Sequence, residues 1–243
     1  MLAGTYDGEE VSLSKMFEAV GAYKAGMIDE CKLNECETGA CPGCGSCAGM
    51  YTANSMNCLC ESLGIALPGN GTIPAVSNKR IMLAKRAGMA IMEMVEKNIC
   101  ARDIINERSI KNALACDMAL GCSSNSVLHL LAISNEAGVK LDLDLFNKTS
   151  DRVPNLCHLA PAGPTYMEDL NEAGGVYAVL RQLEKMNLID TGVMTCTGKT
   201  LGENLDELKA NGYYERCQKW LDAANAKYGL SLTREDIIRG RED

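Results

Sequence analysis

A predominantly helical chain with little sheet is what this sequence predicts, and three observations carry the expectation. Apolar residues recur at helical spacing through most of its length, strand-like runs are few and short, and the apolar content is aliphatic. The chain has 243 residues, 47% hydrophobic but only 5% aromatic, enough to bury a sizeable core of Leu, Ile, Met, Ala and Cys.

Taken in order, the first helix opens at Ser12, a capping residue, and carries Leu13, Met16, Phe17, Val20 and Tyr23 until Gly26; its apolar stripe is expected to face the core. A second is expected to begin near Cys47 and to run to Gly64. Further helices fit residues 76–97, 107–120, 124–137, 144–152, 166–185 with a break at Gly174-Gly175, and 214–227. The strand candidates are residues 193–197 and 72–74. Between the second and third helices, Leu67-Pro68-Gly69-Asn70-Gly71-Thr72 forces a tight turn, either an ordinary helix end or a place where backbone N–H groups meet an anion. Gly121-Cys122-Ser123-Ser124-Asn125-Ser126 reads as a polar pocket wall or simply as the cap of the next helix, and capping alone explains it.

A net charge of −8 and a pI near 5.0 argue against a nucleic-acid surface. Every apolar stretch is broken by charge or glycine before the roughly 18 residues a membrane span needs. The cysteine count, 13, is odd, seven of them lie between Cys31 and Cys60, and no basic-then-apolar leader opens the chain. A reducing, cytoplasmic location is the simplest expectation.

Those cysteines include Cys41-Pro42-Gly43-Cys44-Gly45-Ser46-Cys47, three thiols at intervals of three with glycines between them. The gaps allow tight turns that could fold the sulfurs around one centre, and soft thiolates select zinc, cuprous copper or iron–sulfur clusters. A helix starting at Cys47 would favour its thiolate through the helix dipole. The histidines are His129, expected to be a hydrogen-bonded core residue rather than a ligand or base, and His158, a loop residue that with Cys157 is a lesser metal-site candidate.

Beyond the thiols, the run from Ala40 through Cys47-Ala48-Gly49-Met50-Tyr51-Thr52-Ala53-Asn54-Ser55-Met56-Asn57-Cys58-Leu59, followed by Leu67-Pro68-Gly69-Asn70-Gly71-Thr72, resembles the central signature of the dihydroxy-acid and phosphogluconate dehydratase family. Asp117-Met118-Ala119-Leu120-Gly121-Cys122-Ser123-Ser124-Asn125-Ser126, Val153-Pro154-Asn155-Leu156-Cys157 and Met167-Glu168-Asp169-Leu170 follow in the family's order. The resemblance implies an α/β fold, with residues 1–205 a mostly helical central part of the N-terminal domain and 206–243 a helical extension or linker. It also implies a hydro-lyase that converts 2,3-dihydroxy acids to 2-keto acids in branched-chain amino-acid synthesis, cytoplasmic and homodimeric. The implied cofactors are an iron–sulfur cluster, 2Fe–2S or 4Fe–4S, and Mg²⁺. It assigns Cys47 to the cluster and leaves Cys44 and Cys41 as weaker metal candidates. The family's Cys-Asp-Lys motif is absent from this sequence, and its base and further magnesium ligands are expected in a C-terminal part, so the expectation is a central fragment. A sugar-acid dehydratase and a cysteine-rich metal-binding module are the alternatives.

Overall fold

The computed structural model describes residues 1–228, 231 and 233–240. It opens with a hairpin, β1 (Gly4–Tyr6) against β2 (Glu9–Val11), antiparallel with Gly4 opposite Val11 and Tyr6 opposite Glu9. Asp7 and Gly8 both take positive φ, 53° and 82°, as a two-residue primed turn requires. Two helices pack on the hairpin: α1 (Leu13–Lys24), followed by α2 (Glu30–Ala40), whose start is capped by the Asp29 carboxylate accepting from the Lys32 N–H. The expected stripe of α1 is corrected here. Phe17, Val20 and Tyr23 are exposed, and the buried contact with α2 runs through Ala19, Cys36 and Ala40, because α2 covers only the Ala19 side.

The main core is built around α6 (Glu107–Leu120), which buries Ile110, Ala113, Leu114, Ala119 and Leu120 among others. Around it stand α3 (Thr52–Ser62), α7 (Asn125–Ala137), α8 (Asp144–Ser150) and α10 (Gly175–Lys185). The chain between α3 and α6 forms α4 (Asn78–Glu96) and α5 (Ala101–Ile104), and α9 (Met167–Glu172) precedes α10 across the Gly174-Gly175 break. Of α4 only Leu83 and Met94 are buried; Met89, Ile91, Met92 and Val95 are exposed. After α10, a Thr200 capping box starts α11 (Leu201–Ala210). It is followed by α12 (Tyr213–Tyr228) and α13 (Arg234–Ile237). These last elements join the main core, where Leu221, Ile237 and Ile238 are buried, the Tyr213 hydroxyl donates to the Gly174 carbonyl at 3.2 Å, and the Arg239 N–H donates to the Leu156 carbonyl at 2.9 Å.

Both strand expectations fail. Residues 193–197 form a turn rather than a strand, with an isolated bridge between Met194 and Thr200 and the Thr195 N–H donating to the Lys199 carbonyl. Residues 72–74 are likewise not strand. Among the described residues the one sheet is the hairpin, so the fold is mostly helical with a minor β element.

Candidate functional site

Cys47 does not begin a helix. Residues 41–51 form a loop and α3 starts at Thr52, so no helix terminus lies under the thiol. Tertiary bonds hold this loop instead. The Met50 N–H donates to the Ala160 carbonyl at 2.6 Å, and the Met167 N–H donates to the Ala48 carbonyl at 2.8 Å. Glycine at position 49 is a packing necessity, since a Cβ there would lie 2.4 Å from the Ala160 oxygen.

Asn54, one turn into α3, completes the clamp. Its Nδ2 donates to the carbonyls of Cys47 and Gly49 at 2.5 and 2.6 Å, and its Oδ1 accepts from the Ser46 hydroxyl at 3.0 Å. The side chain is only 5% exposed, so these bonds replace water rather than compete with it. Cys47 itself is half-buried, whereas Cys41 and Cys44 are exposed. Among the described residues no group of three or more Cys, His, Asp or Glu side chains is gathered as a metal site. Among the described residues Cys47 thus stands as a single half-buried thiol, and neither a complete cluster ligand set nor a magnesium carboxylate set is gathered around it.

Beside the loop lies a cavity of about 180 Å³ whose lining includes Gly45 and Ser46 of the loop, Asn54 of α3, Gly71 and Thr72 of the following turn, Arg80 and Glu168. Glu168 accepts from the Ala3 N–H at 3.2 Å, and burial raises its pKa. The 68–72 turn, which gives Gly71 and Thr72 to the lining, is packed closely on α3: a Cβ on Gly71 would sit 2.7 Å from the Cys58 sulfur and 2.8 Å from the Cys58 Cα. Thr72 ties the turn to α9 through its hydroxyl, which donates to Asn171 Oδ1 at 3.2 Å.

Sequence reasoning missed two buried carboxylates that organise this region. Glu61 on α3 is fully buried and accepts from the Gly69 and Gly71 N–H groups; burial raises its pKa to about 7 against the pull of those bonds. Asp117 at the end of α6 is buried, raised to about 6 by desolvation, and accepts from the Ser126 hydroxyl at 3.0 Å while its Oδ1 has no partner. The 121–126 serines accordingly serve more than a cap. Ser124 makes no side-chain capping bond, Ser126 serves Asp117, and the Ser123 N–H donates to Ser55 Oγ at 3.0 Å, joining this loop to α3. The available signal was an acidic residue set among apolar ones in a helix, as at Glu61 beside Cys58, Leu59 and Leu63.

The remaining candidates separate. Cys58, Cys116 and Cys157 are core thiols whose pKa values burial raises, Cys157 to about 12, so they behave as small apolar groups. His158 is exposed while Cys157 points into the core, so the two do not form a pair. His129 is exposed as well, which corrects the core expectation: the inward face of α7 is Ser126, Leu130 and Ser134, and position 129 falls outside it.

A family model described as dihydroxy-acid/6-phosphogluconate dehydratase N-terminal matches residues 1–204. A dihydroxy-acid dehydratase of Clostridium beijerinckii is 62% identical over 206 residues, which cover 85% of this chain and 37% of the relative. One from Lachnoclostridium phytofermentans is 63% identical over the same span and coverage, and one from Agathobacter rectalis is 62% identical over 205 residues, 84% of this chain and 37% of the relative. The chain thus spans 37% of the length of these relatives.

Proposed function

We propose, because this chain belongs to the dihydroxy-acid/6-phosphogluconate dehydratase N-terminal family, that it forms the cysteine-loop part of a hydro-lyase that removes water from 2,3-dihydroxy acids to give 2-keto acids in branched-chain amino-acid synthesis. The 62% identity to a dihydroxy-acid dehydratase over 206 residues carries the reading. Residues 1–205 are read as part of an α/β N-terminal domain, with 206–243 a helical extension. Cys47 is the residue we assign to an iron–sulfur cluster; Cys41 and Cys44, exposed on the preceding turn, are the lesser candidates. A cluster and Mg²⁺ together would supply Lewis acidity toward the leaving hydroxyl. Cluster type, cytoplasmic location and a homodimeric state are part of the same proposal. No helix among the described residues is long and apolar enough to cross a membrane.

This chain's own contribution is positional. Asn54 and the Ala160 and Met167 contacts hold the Cys47 loop, and Gly71 and Thr72 of the 68–72 turn line the cavity beside it. The substrate is a small hydroxy acid, and the polar lining of Ser46, Asn54, Asn57, Thr72 and Arg80 suits hydroxyl and carboxylate groups.

The test replaces the matching stretch of the Clostridium beijerinckii enzyme with residues 1–206 of this chain. The chimera is expected to dehydrate 2,3-dihydroxyisovalerate and not gluconate; the reverse preference would assign the chain to a sugar-acid dehydratase. In that chimera Cys47→Ser is expected to strip iron, whereas Cys58→Ser leaves it, because Cys58 is enclosed in the core. Equal iron loss from both would overturn the assignment of Cys47.

A further inference from the structure

The 68–72 turn is held from both of its hydrogen-bonding sides by opposite charges. Gly69 donates its N–H to Glu61 Oε2 at 2.9 Å and Gly71 donates to Oε1 at 2.5 Å, so both oxygens of one carboxylate are used. On the other side Arg80, near the start of α4, donates to the Asn70 carbonyl at 2.9 Å and to the Ile73 carbonyl. The carbonyl of Asn70 and the N–H of Gly71 belong to one peptide group. That single amide therefore stands between a carboxylate that takes its hydrogen and a guanidinium that gives to its oxygen, and each interaction polarises the amide in the direction that strengthens the other.

A carboxylate at this place is costly. Glu61 is fully enclosed and makes no ion pair within 4.0 Å among the described residues. A buried charge without a direct partner is retained only where fixed donors replace its water, and here the donors are two backbone N–H groups of the turn. An apolar side chain would fill the same space and leave both N–H groups stranded. The turn has little room to settle further onto α3 either, since a Cβ built on Gly71 would lie only 2.8 Å from the Cys58 Cα.

We propose that Glu61 is a positioning residue which, acting through the Asn70–Gly71 amide on Arg80, fixes the part of the cavity lining formed by Gly71, Thr72 and Arg80. Its bearing on catalysis rests on the dehydratase reading; the positioning itself does not. Glu61 is fully buried and does not itself line the cavity. It sets where the turn stands, and Arg80, half-buried at the cavity, is held in place by the same amide.

The test is amide hydrogen exchange at about pH 8, above the pKa of about 7 to which burial raises Glu61, followed by NMR on the full 243-residue chain, so it reads the turn with the carboxylate ionised and without reference to activity, and can succeed where the dehydratase reading fails. Glu61→Gln keeps shape but sets an NH₂ group against one of the two N–H donors. It is expected to lower protection of Gly69 or Gly71 by roughly 10- to 100-fold, the worth of one hydrogen bond to a charged group, while Leu114 in α6 stays unchanged. Arg80→Gln approaches from the partly exposed side and leaves the core untouched. It is expected to lower protection at Gly71 more than at Gly69 and to move the Gly71 proton resonance upfield as the amide loses its polarisation. The double variant should then show less than the product of the two single effects. Unchanged protection at both glycines in Glu61→Gln, an even loss across the turn and α6, or independent effects of the two variants would each overturn the proposal.

Discussion

Replacing Asn54 by alanine removes three hydrogen bonds at once, those to the Cys47 and Gly49 carbonyls and that from Ser46. Gly49 is buried, and its carbonyl has no route to water once the amide is gone. At about 1 kcal/mol per neutral bond the loss is roughly 3 kcal/mol, since the cost of leaving a buried acceptor unmade offsets any relief from removing the polar side chain. For a chain of this size that corresponds to a fall in melting temperature of about 6–12 °C. Chemical denaturation gives the first number and a thermal scan the second. A local readout separates the loop from the fold as a whole: in a background with Cys41→Ser and Cys44→Ser, alkylation of the half-buried Cys47 should speed up in Asn54→Ala well below the denaturation midpoint. Asn54→Asp is the sharper control. It keeps the Ser46 bond but sets carboxylate oxygens against two carbonyl oxygens, so it should cost more than alanine. A destabilisation under about 0.5 kcal/mol with unchanged Cys47 alkylation would show that the loop is held by its backbone bonds alone and refute the clamp.

Gly71→Ala is a second case, and the structure changes what it should do. The residue is buried with no positive φ, and the added methyl meets Cys58 backbone at 2.8 Å, so the variant should lose about 1–3 kcal/mol in denaturant melts rather than turnover alone; full stability would contradict the contact. For pH, Glu61 is raised from 4.5 to about 7, so the folded state holds a proton that the unfolded chain releases. The stability it contributes is fully present below about pH 4.5 and is lost as pH rises toward 7, a fall of about 3 kcal/mol that Glu61→Gln should flatten in melts across that window. Expressed alone and supplied with iron, sulfide, magnesium and 2,3-dihydroxyisovalerate without oxygen, the chain should form no keto acid, because no three metal ligands are gathered among the described residues; turnover above a cluster-free control would refute this. It should also self-associate through the exposed Met89, Ile91, Met92 and Val95 of α4, and Met89→Lys with Val95→Lys should shift it toward monomer in sedimentation.

How much of this was legible depended on where local pattern and tertiary contact agree. The segment 107–120 was read with its bounds intact because its apolar residues, its Asn106 cap and its Gly121 terminus all point to one helix. The start of α3 was set five residues too early, since Ala48, Met50 and Tyr51 look helical and only the bonds to Ala160 and Met167 pull them into a loop. The helix α2 escaped notice because its residues are largely exposed and polar, leaving no stripe to count. The hairpin and α11 were readable in principle, from Asp7-Gly8 and from the Thr200–Glu203 box. At the site, Cys47 and the 68–72 turn could be singled out from the sequence. The roles of Asn54 and Glu61 could not, because each acts on a loop that reaches it only in the folded chain.

Those two side chains are seven residues apart on α3, two turns along one face of a single helix. At 1.5 Å per residue they stand about 10.5 Å apart along the axis, so the helix serves as a ruler between the two loops it grips. A ruler of this kind has coarse divisions. Inserting one residue between positions 54 and 61 would lengthen it by only about 1.5 Å but swing one grip about 100° away from its loop. The spacing of the two grips can therefore change only by whole helical turns, while the loops can vary in sequence away from Gly49 and Gly71 as long as their carbonyls and N–H groups return to the same marks.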